Sequence, residues 1–174
     1  MPLHLIELSP AEPERAAIDG LLERVADVIA GDGGDVIEAQ VTADAKRAFI
    51  VAEHAADDGP RRALEAGGVA FDTVDPVRLV GAELEDVKAR RGSGRYLVEW
   101  DLPADLTMDA YLARKKANAP KYAEVPEATF LRTYVREDVD KCLCFYDGED
   151  ADAVRRAREA VEAPIDRFHE LEER

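Results

Sequence analysis

The residues best suited to chemistry are few. Cys142 and Cys144 are the chain's only cysteines, two apart on a predicted strand, so both side chains point to one face. Such a pair offers two soft thiolates to one metal. Structural zinc sites, however, use four N/S ligands in C-x2–4-C and H-x3–5-H spacings, which the chain lacks. The plainer account is two small buried hydrophobes. His4, His54 and His169 are isolated in sequence, on the first strand, after the third and in the last. Convergent strand ends would let an imidazole and carboxylates bind Ni²⁺ or Zn²⁺, with Glu99, Cys144, His4 and His169 as the metal candidates. Glu7 and Glu99 hold equivalent places in two predicted first strands, amid apolar neighbours. Facing an interior, they would be carboxylates with raised pKa values or ligands to a cation; facing out, they would be ordinary solvated acids. Tyr134, Cys144 and Tyr146 complete the candidate ligand pocket. Asp138 and Lys141 flank a hairpin turn, where a local ion pair is expected.

No catalytic residue is assigned. There is no G-x-S-x-G, and Ser9 and Ser93 fall beside a turn and in a predicted linker. Gly31-Asp32-Gly33-Gly34 follows a predicted helix instead of preceding one, so it cannot present a helix N-terminus to phosphate as a P-loop does. The acidic runs Asp147–Asp152 and Glu170–Glu173 lack EF-hand spacing.

Positioning these residues falls to two similar halves. Val41–Thr73 laid over Val135–Arg167 aligns 33 positions without a gap, nine of them identical. Roughly two or three would arise by chance in so Ala- and Asp-rich a chain, which points to an internal repeat. Each half reads as strand–helix–strand–strand–helix–strand. In the first, Leu3–Leu8, Val36–Val41, Ala48–Glu53 and Phe71–Val80 are strands. The helices are one carrying Ile18, Leu21, Leu22, Val25, Val28 and Ile29, and a short one begun by Asp58 and Pro60. The second half follows with strands Tyr96–Trp100, Thr129–Val135, Cys142–Asp147 and Ile165–Leu171. Its helices are near Thr107–Ala119 and Ala151–Ala163, and Lys121–Glu127 is a predicted loop after Pro120. The fold class is therefore α+β: ferredoxin-like βαββαβ units at 1–80 and 95–174, joined by a linker at 81–94 ending in Gly92-Ser93-Gly94. Apolar residues on both sides of the strands predict that the two pair as an intramolecular dimeric α/β barrel, a pseudo-dimer enclosing the candidate pocket between its sheets.

Residues 95–172 resemble the DUF4242 family. The likeness lies in Tyr96-Leu97-Val98-Glu99-Trp100-Asp101-Leu102-Pro103, Thr133-Tyr134-Val135 with Asp138 and Lys141, Cys144-Phe145-Tyr146, Val154-Arg155 and Pro164-Ile165-Asp166. The first half is a divergent copy: it keeps Glu7, Asp44 and Asp72 but has Gln40, Ile50 and Ala52 at the places of Tyr134, Cys144 and Tyr146. The resemblance implies a small, non-catalytic protein that binds Ni²⁺ or another divalent metal, or a small ligand. One departure stands against nickel: Ala157, matched by Ala63 in the first half, sits where the family commonly has His. The alternatives are an enzyme of the dimeric α/β-barrel type acting on a small molecule and a protein-interaction module.

Composition narrows the partners. Of 174 residues 38 are acidic and 23 basic, a net charge of −15 that repels nucleic acid and anionic lipid. No run reaches the ~18 apolar residues of a membrane span, and MPLHLIELSP lacks the regions of a signal peptide. Two cysteines fit a reducing, cytoplasmic setting. The bases are 17 Arg and only six Lys, and the acids are Asp and Glu equally, a surface suited to a high-salt cytoplasm, where a Debye length of ~3 Å at 1 M suppresses self-repulsion. A metal ion or small ligand is the expected partner, with further homo-oligomerisation left open.

Overall fold

A computed structural model describes residues 1–173. The chain divides into two compact units: Met1–Arg78 with Glu83–Ser93 and 172–173, and Leu79–Ala82 with Gly94–Leu171.

The first unit runs β1 (Leu3–Leu8), α1 (Arg15–Gly31), β2 (Asp35–Val41), β3 (Ala48–Glu53), α2 (Gly59–Ala66), β4 (Thr73–Val80) and α3 (Leu84–Arg90). Its strands are antiparallel in the order β2-β3-β1-β4. Helix α1 buries Ile18, Val25 and Ile29, one stripe at helical spacing, against Ile6, Leu8, Ile50 and Ala52 of the sheet. Helix α2 adds Ala63 and Leu64 to the same core. Each Leu or Ile taken fully out of water here contributes about 1.5–3 kcal/mol. Asp58 precedes α2, as expected, yet its carboxylate caps no backbone N–H; it pairs with Arg62 at 3.0 Å. Within 81–94, where the sequence predicts a linker, α3 forms and buries Val87.

The second unit runs β5 (Tyr96–Asp101), α4 (Met108–Asn118), a 3₁₀ helix (Ala119–Glu124), β6 (Ala128–Arg136), β7 (Lys141–Gly148), α5 (Ala151–Ala160) and β8 (Arg167–Glu170). Its antiparallel order is β6-β7-β5-β8, a ferredoxin-like arrangement. Thr107 caps α4 by accepting from the Ala110 N–H at 3.2 Å, and Asp150 caps α5 from Ala153 at 2.8 Å. Pro120 ends the α-helix as predicted, but part of the expected loop winds as the 3₁₀ helix, because proline at a helix start surrenders an N–H that has no partner there anyway. Helix α4 buries only Tyr111 fully, and the space this leaves over the sheet is where the polar chemistry of the unit gathers.

Candidate functional site

Strand alternation sorts the predicted site residues onto two faces of the second sheet. On β5, Tyr96, Val98 and Trp100 join the core beneath α4 and α5, so Leu97 and Glu99 turn the other way. Register carries the division across the sheet. Thr133 lies opposite Cys144, and its hydroxyl donates to Sγ at 3.1 Å on the helix side. Tyr134 lies opposite Leu143, which in turn lies opposite Glu99. Of the pocket candidates Glu7, Glu99, Tyr134, Cys144 and Tyr146, the last four lie on this sheet: Cys144 and Tyr146 face the helices, Glu99 and Tyr134 the opposite side.

Glu99 is fully buried and spent on cations. Arg167 Nε is 3.1 Å from it, His169 Nε2 is 2.6 Å away, and the Lys141 ammonium is in direct contact. Burial opposes its ionisation, but the His169 and Lys141 hydrogen bonds and the neighbouring charges outweigh burial and hold its carboxyl at about 2. A raised pKa was expected; the cations reverse it. Lys141 thus pairs with Glu99 and not with Asp138. Glu7 is likewise buried, with Arg47 Nη2 2.8 Å away.

The histidines do not converge. His4 is buried in the first unit with Nε2 3.3 Å from the His54 carbonyl, and burial lowers its pKa. His54 Nδ1 accepts from the Ala56 N–H at 2.9 Å, so Nε2 carries the proton, donated to Asp32 at 2.8 Å (carbonyl) and 2.9 Å (carboxylate). His169 is the partner of Glu99.

The helix side of the second sheet holds a small cavity of about 30 Å³, room for one or two water molecules. Its walls include Trp100 from β5, Tyr111, Arg114 and Lys115 from α4, Tyr122 from the 3₁₀ helix and Arg158 from α5. Arg158 is the residue sequence reasoning missed. It is 1 % exposed, yet no carboxylate among the described residues forms an ion pair with it. Its Nη1 donates to the Tyr146 hydroxyl at 3.1 Å, its Nη2 to the Pro164 carbonyl at 2.5 Å, and its Nε has no partner. The guanidinium lies 5.7 Å from the centre of the Trp100 ring. Buried charge without a counter-ion is costly, so its retention asks for a reason.

Behind Arg158 the hydroxyls of Tyr146 and Tyr122 meet at 2.7 Å. Burial raises both phenols, Tyr122 to about 12, so both are protonated at neutral pH. Cys144 is the more acidic thiol of its pair: the Cys142 hydrogen bond and the Lys115 and Arg158 charges lower it against burial, while burial raises Cys142. Positions 94 residues earlier carry Ala39, Ala48, Ile50, Ala52 and Leu64 where this unit has Thr133, Cys142, Cys144, Tyr146 and Arg158. Leu64 is wholly buried in the first core, and an Arg at its aligned place was the available clue.

Comparison with known proteins falls on this same unit. Residues 96–171 match the family described as nickel responsive protein SCO4226-like. A crystal structure of SCO4226 from Streptomyces coelicolor A3(2) is similar at 17 % identity and a TM-score of 0.40, covering 47 % of this chain and 99 % of that one. TA0507, described as a candidate chlorite dismutase, matches over 99 % of this chain and 96 % of its own at 12 % identity and a TM-score of 0.55, a likeness of fold. A candidate monooxygenase from Lactobacillus acidophilus matches over 98 % and 91 % at 10 % identity and 0.49. No curated protein matches the chain.

The nickel response in the family's description sets a test for the residues present. Among the described residues no group of three or more His, Cys, Asp and Glu could hold a metal ion. Glu99 and His169 touch, but Lys141 and Arg167 already neutralise that carboxylate, and Cys144 faces away from it. The described residues do not fit a preformed nickel cage.

Proposed function

We propose that the second unit is a non-catalytic small-ligand-binding module whose site is the cavity among α4, the 3₁₀ helix, α5 and β5. One observation carries this reading: Arg158, buried without a carboxylate partner, forms part of the cavity wall. A cavity with mainly apolar walls and a few placed polar groups has the lining of a small-molecule site. The wall residues include no carboxylate, histidine or cysteine, the side chains that most often serve as general base or nucleophile. The Cys144 thiol, though acidic for its kind, is fully buried. The nickel response remains with the matched family; in this chain the small-ligand alternative has the better-formed site.

Trp100 is the chain's single tryptophan and stands in the wall, so its fluorescence reports occupancy directly. A screen of small organic molecules should give saturable changes in Trp100 emission with a rise in melting temperature. Dialysis against Ni²⁺ followed by metal analysis should give well below one ion per chain. Stoichiometric nickel with no Trp100 response to any compound would refute the proposal.

A further inference from the structure

Each unit has a hollow at the same point of the repeat, between the end of its first strand, its first helix and the turn after its second helix. In the second unit the walls include Trp100, Tyr111, Arg114 and Val161, and about 30 Å³ remains. In the first they include Leu8, Leu21, Arg24 and Gly68, and the cleft, open on one side, measures about 360 Å³. The correspondence is close. Leu8 aligns with Trp100 and Gly68 with Glu162, and both turns hold that last residue in the left-handed region, at φ 68° and 57°. Each first helix sends one arginine to a carbonyl of the turn: Arg24 Nη2 donates to Gly67 at 3.1 Å, and Arg114 Nη2 to Glu162 at 2.5 Å. Counted from those arginines, Leu21 stands where Tyr111 does. Two aliphatic side chains in place of two aromatic ones leave the room, and a Cβ on Gly68 would meet nothing within 4 Å.

The cleft is aliphatic over Leu8, Ala17, Leu21 and Val69, and its polar side chains are Ser9, Glu12 and Arg24. Ser9 is committed to Asp72, whose carboxylate accepts its proton at 2.6 Å. Arg24 spends one donor on Gly67 and forms no ion pair with a carboxylate among the described residues, so a guanidinium held in place keeps most of its donors. Glu12 lies before α1 begins, and helical rise puts Arg24 about 10 Å beyond Ala17, so acid and base stand toward opposite ends. We infer that this cleft is a second binding site, for a small aliphatic carboxylate whose head meets Arg24 and whose chain lies along Leu21, Leu8 and Val69. Its volume falls in the range of small-molecule sites. The pinned guanidinium favours an anionic head over the cationic one that Glu12 would take, because Glu12, exposed and without a partner among the described residues, must be ordered on binding. This cleft and the cavity of the second unit are separate sites, and either can fail without the other.

Butanoate, hexanoate and octanoate are titrated against the full chain at physiological ionic strength, where a Debye length of about 8 Å screens the more distant acids. The readout is the backbone ¹H–¹⁵N peaks of Ala17, Leu21 and Gly68. Those peaks should shift saturably, with affinity rising about two- to fourfold per methylene. Octan-1-ol and octylamine should bind at least about threefold more weakly than octanoate. Arg24→Gln should weaken octanoate about three- to fivefold and leave octan-1-ol unchanged, while Arg24→Lys keeps most of the octanoate affinity. Arg24 is exposed, so both variants should keep the parent's melting temperature. An affinity that does not grow with chain length, octan-1-ol or octylamine binding as tightly as octanoate, or Arg24→Gln binding octanoate like the parent overturns the assignment. So does octanoate that moves the Trp100 indole peak in place of the Ala17 and Gly68 peaks, or that moves none.

Discussion

At the scale of single residues, Glu99 and Arg158 show opposite solutions to a buried charge. Glu99 is surrounded by Lys141, Arg167 and His169, and its carboxyl falls to about 2. In the unfolded chain it would take up a proton near 4.5, so between these values the unfolded state binds more protons than the folded one. Its contribution, about 3 kcal/mol, is fully present above pH 4.5 and is lost as pH falls toward 2. Glu99→Gln should therefore lower the stability at pH 7 by about that amount, and chemical denaturation of the two proteins should converge near pH 2. A gap unchanged between pH 7 and pH 2 would contradict the pairing. Arg158 has no such carboxylate, and its companions are phenols, a carbonyl and the Trp100 face. Neither arrangement could be read from sequence. Glu99 was visible as a carboxylate amid apolar residues, but Lys141 and Arg167 reach it only through strand pairing, from 42 and 68 residues away. With that pairing unknown, burial was the only foreseeable influence, and burial alone raises a pKa.

The elements themselves were far more legible. All eight strands and the paired helices of each unit follow from hydrophobic period and from turn residues, because those cues are local. The facing of Cys144 against Tyr134 was legible only in part. Period two placed Cys142 and Cys144 together, but the bulge between Phe130 and Arg132 shifts the register of β6 against β7, and the turn ahead of β7 leaves no simple count from Tyr134. Helix α3 was hidden by its Gly-Ser-Gly sequel and even charge, both of which also describe a linker. Two predictions belong at this scale. Asp150→Ala removes the side-chain cap of α5, the helix that carries Arg158, and should cost about 1 kcal/mol in urea denaturation. Gly59→Ala at the start of α2 would place a methyl 2.2 Å from the His54 ring, which the Asp32 and Ala56 hydrogen bonds hold in place. It should cost about 1–3 kcal/mol, read as a lowered melting temperature; an unchanged midpoint would show that His54 swings aside freely.

For the whole molecule, charge and site separate. Residues 1–80 carry 16 acids and seven bases, residues 81–94 three of each, and residues 95–174 nineteen acids and thirteen bases. The excess is shared by both halves, while the cations of the cavity stand apart from it. Self-repulsion of this size should make the melting temperature rise as KCl is raised from low to molar concentration, and a flat midpoint would contradict a salt-adapted surface. No helix among the described residues is long and apolar enough to cross a membrane. The family match at 96–171 and the polar cluster fall on the same unit, whereas the first carries Leu64 and Ile50 at the aligned places of Arg158 and Cys144. The central claim is that binding resides in the second unit's cavity and not in a metal cage. The most direct test is the ¹H–¹⁵N spectrum of the one indole N–H, Trp100, recorded as the compounds of the small-molecule screen and, in a separate sample, Ni²⁺ are added. The account predicts a saturable shift of that peak with at least one compound and none with Ni²⁺. A Trp100 peak unmoved by every compound, with Ni²⁺ instead producing saturable changes at Glu99 and His169, would contradict it.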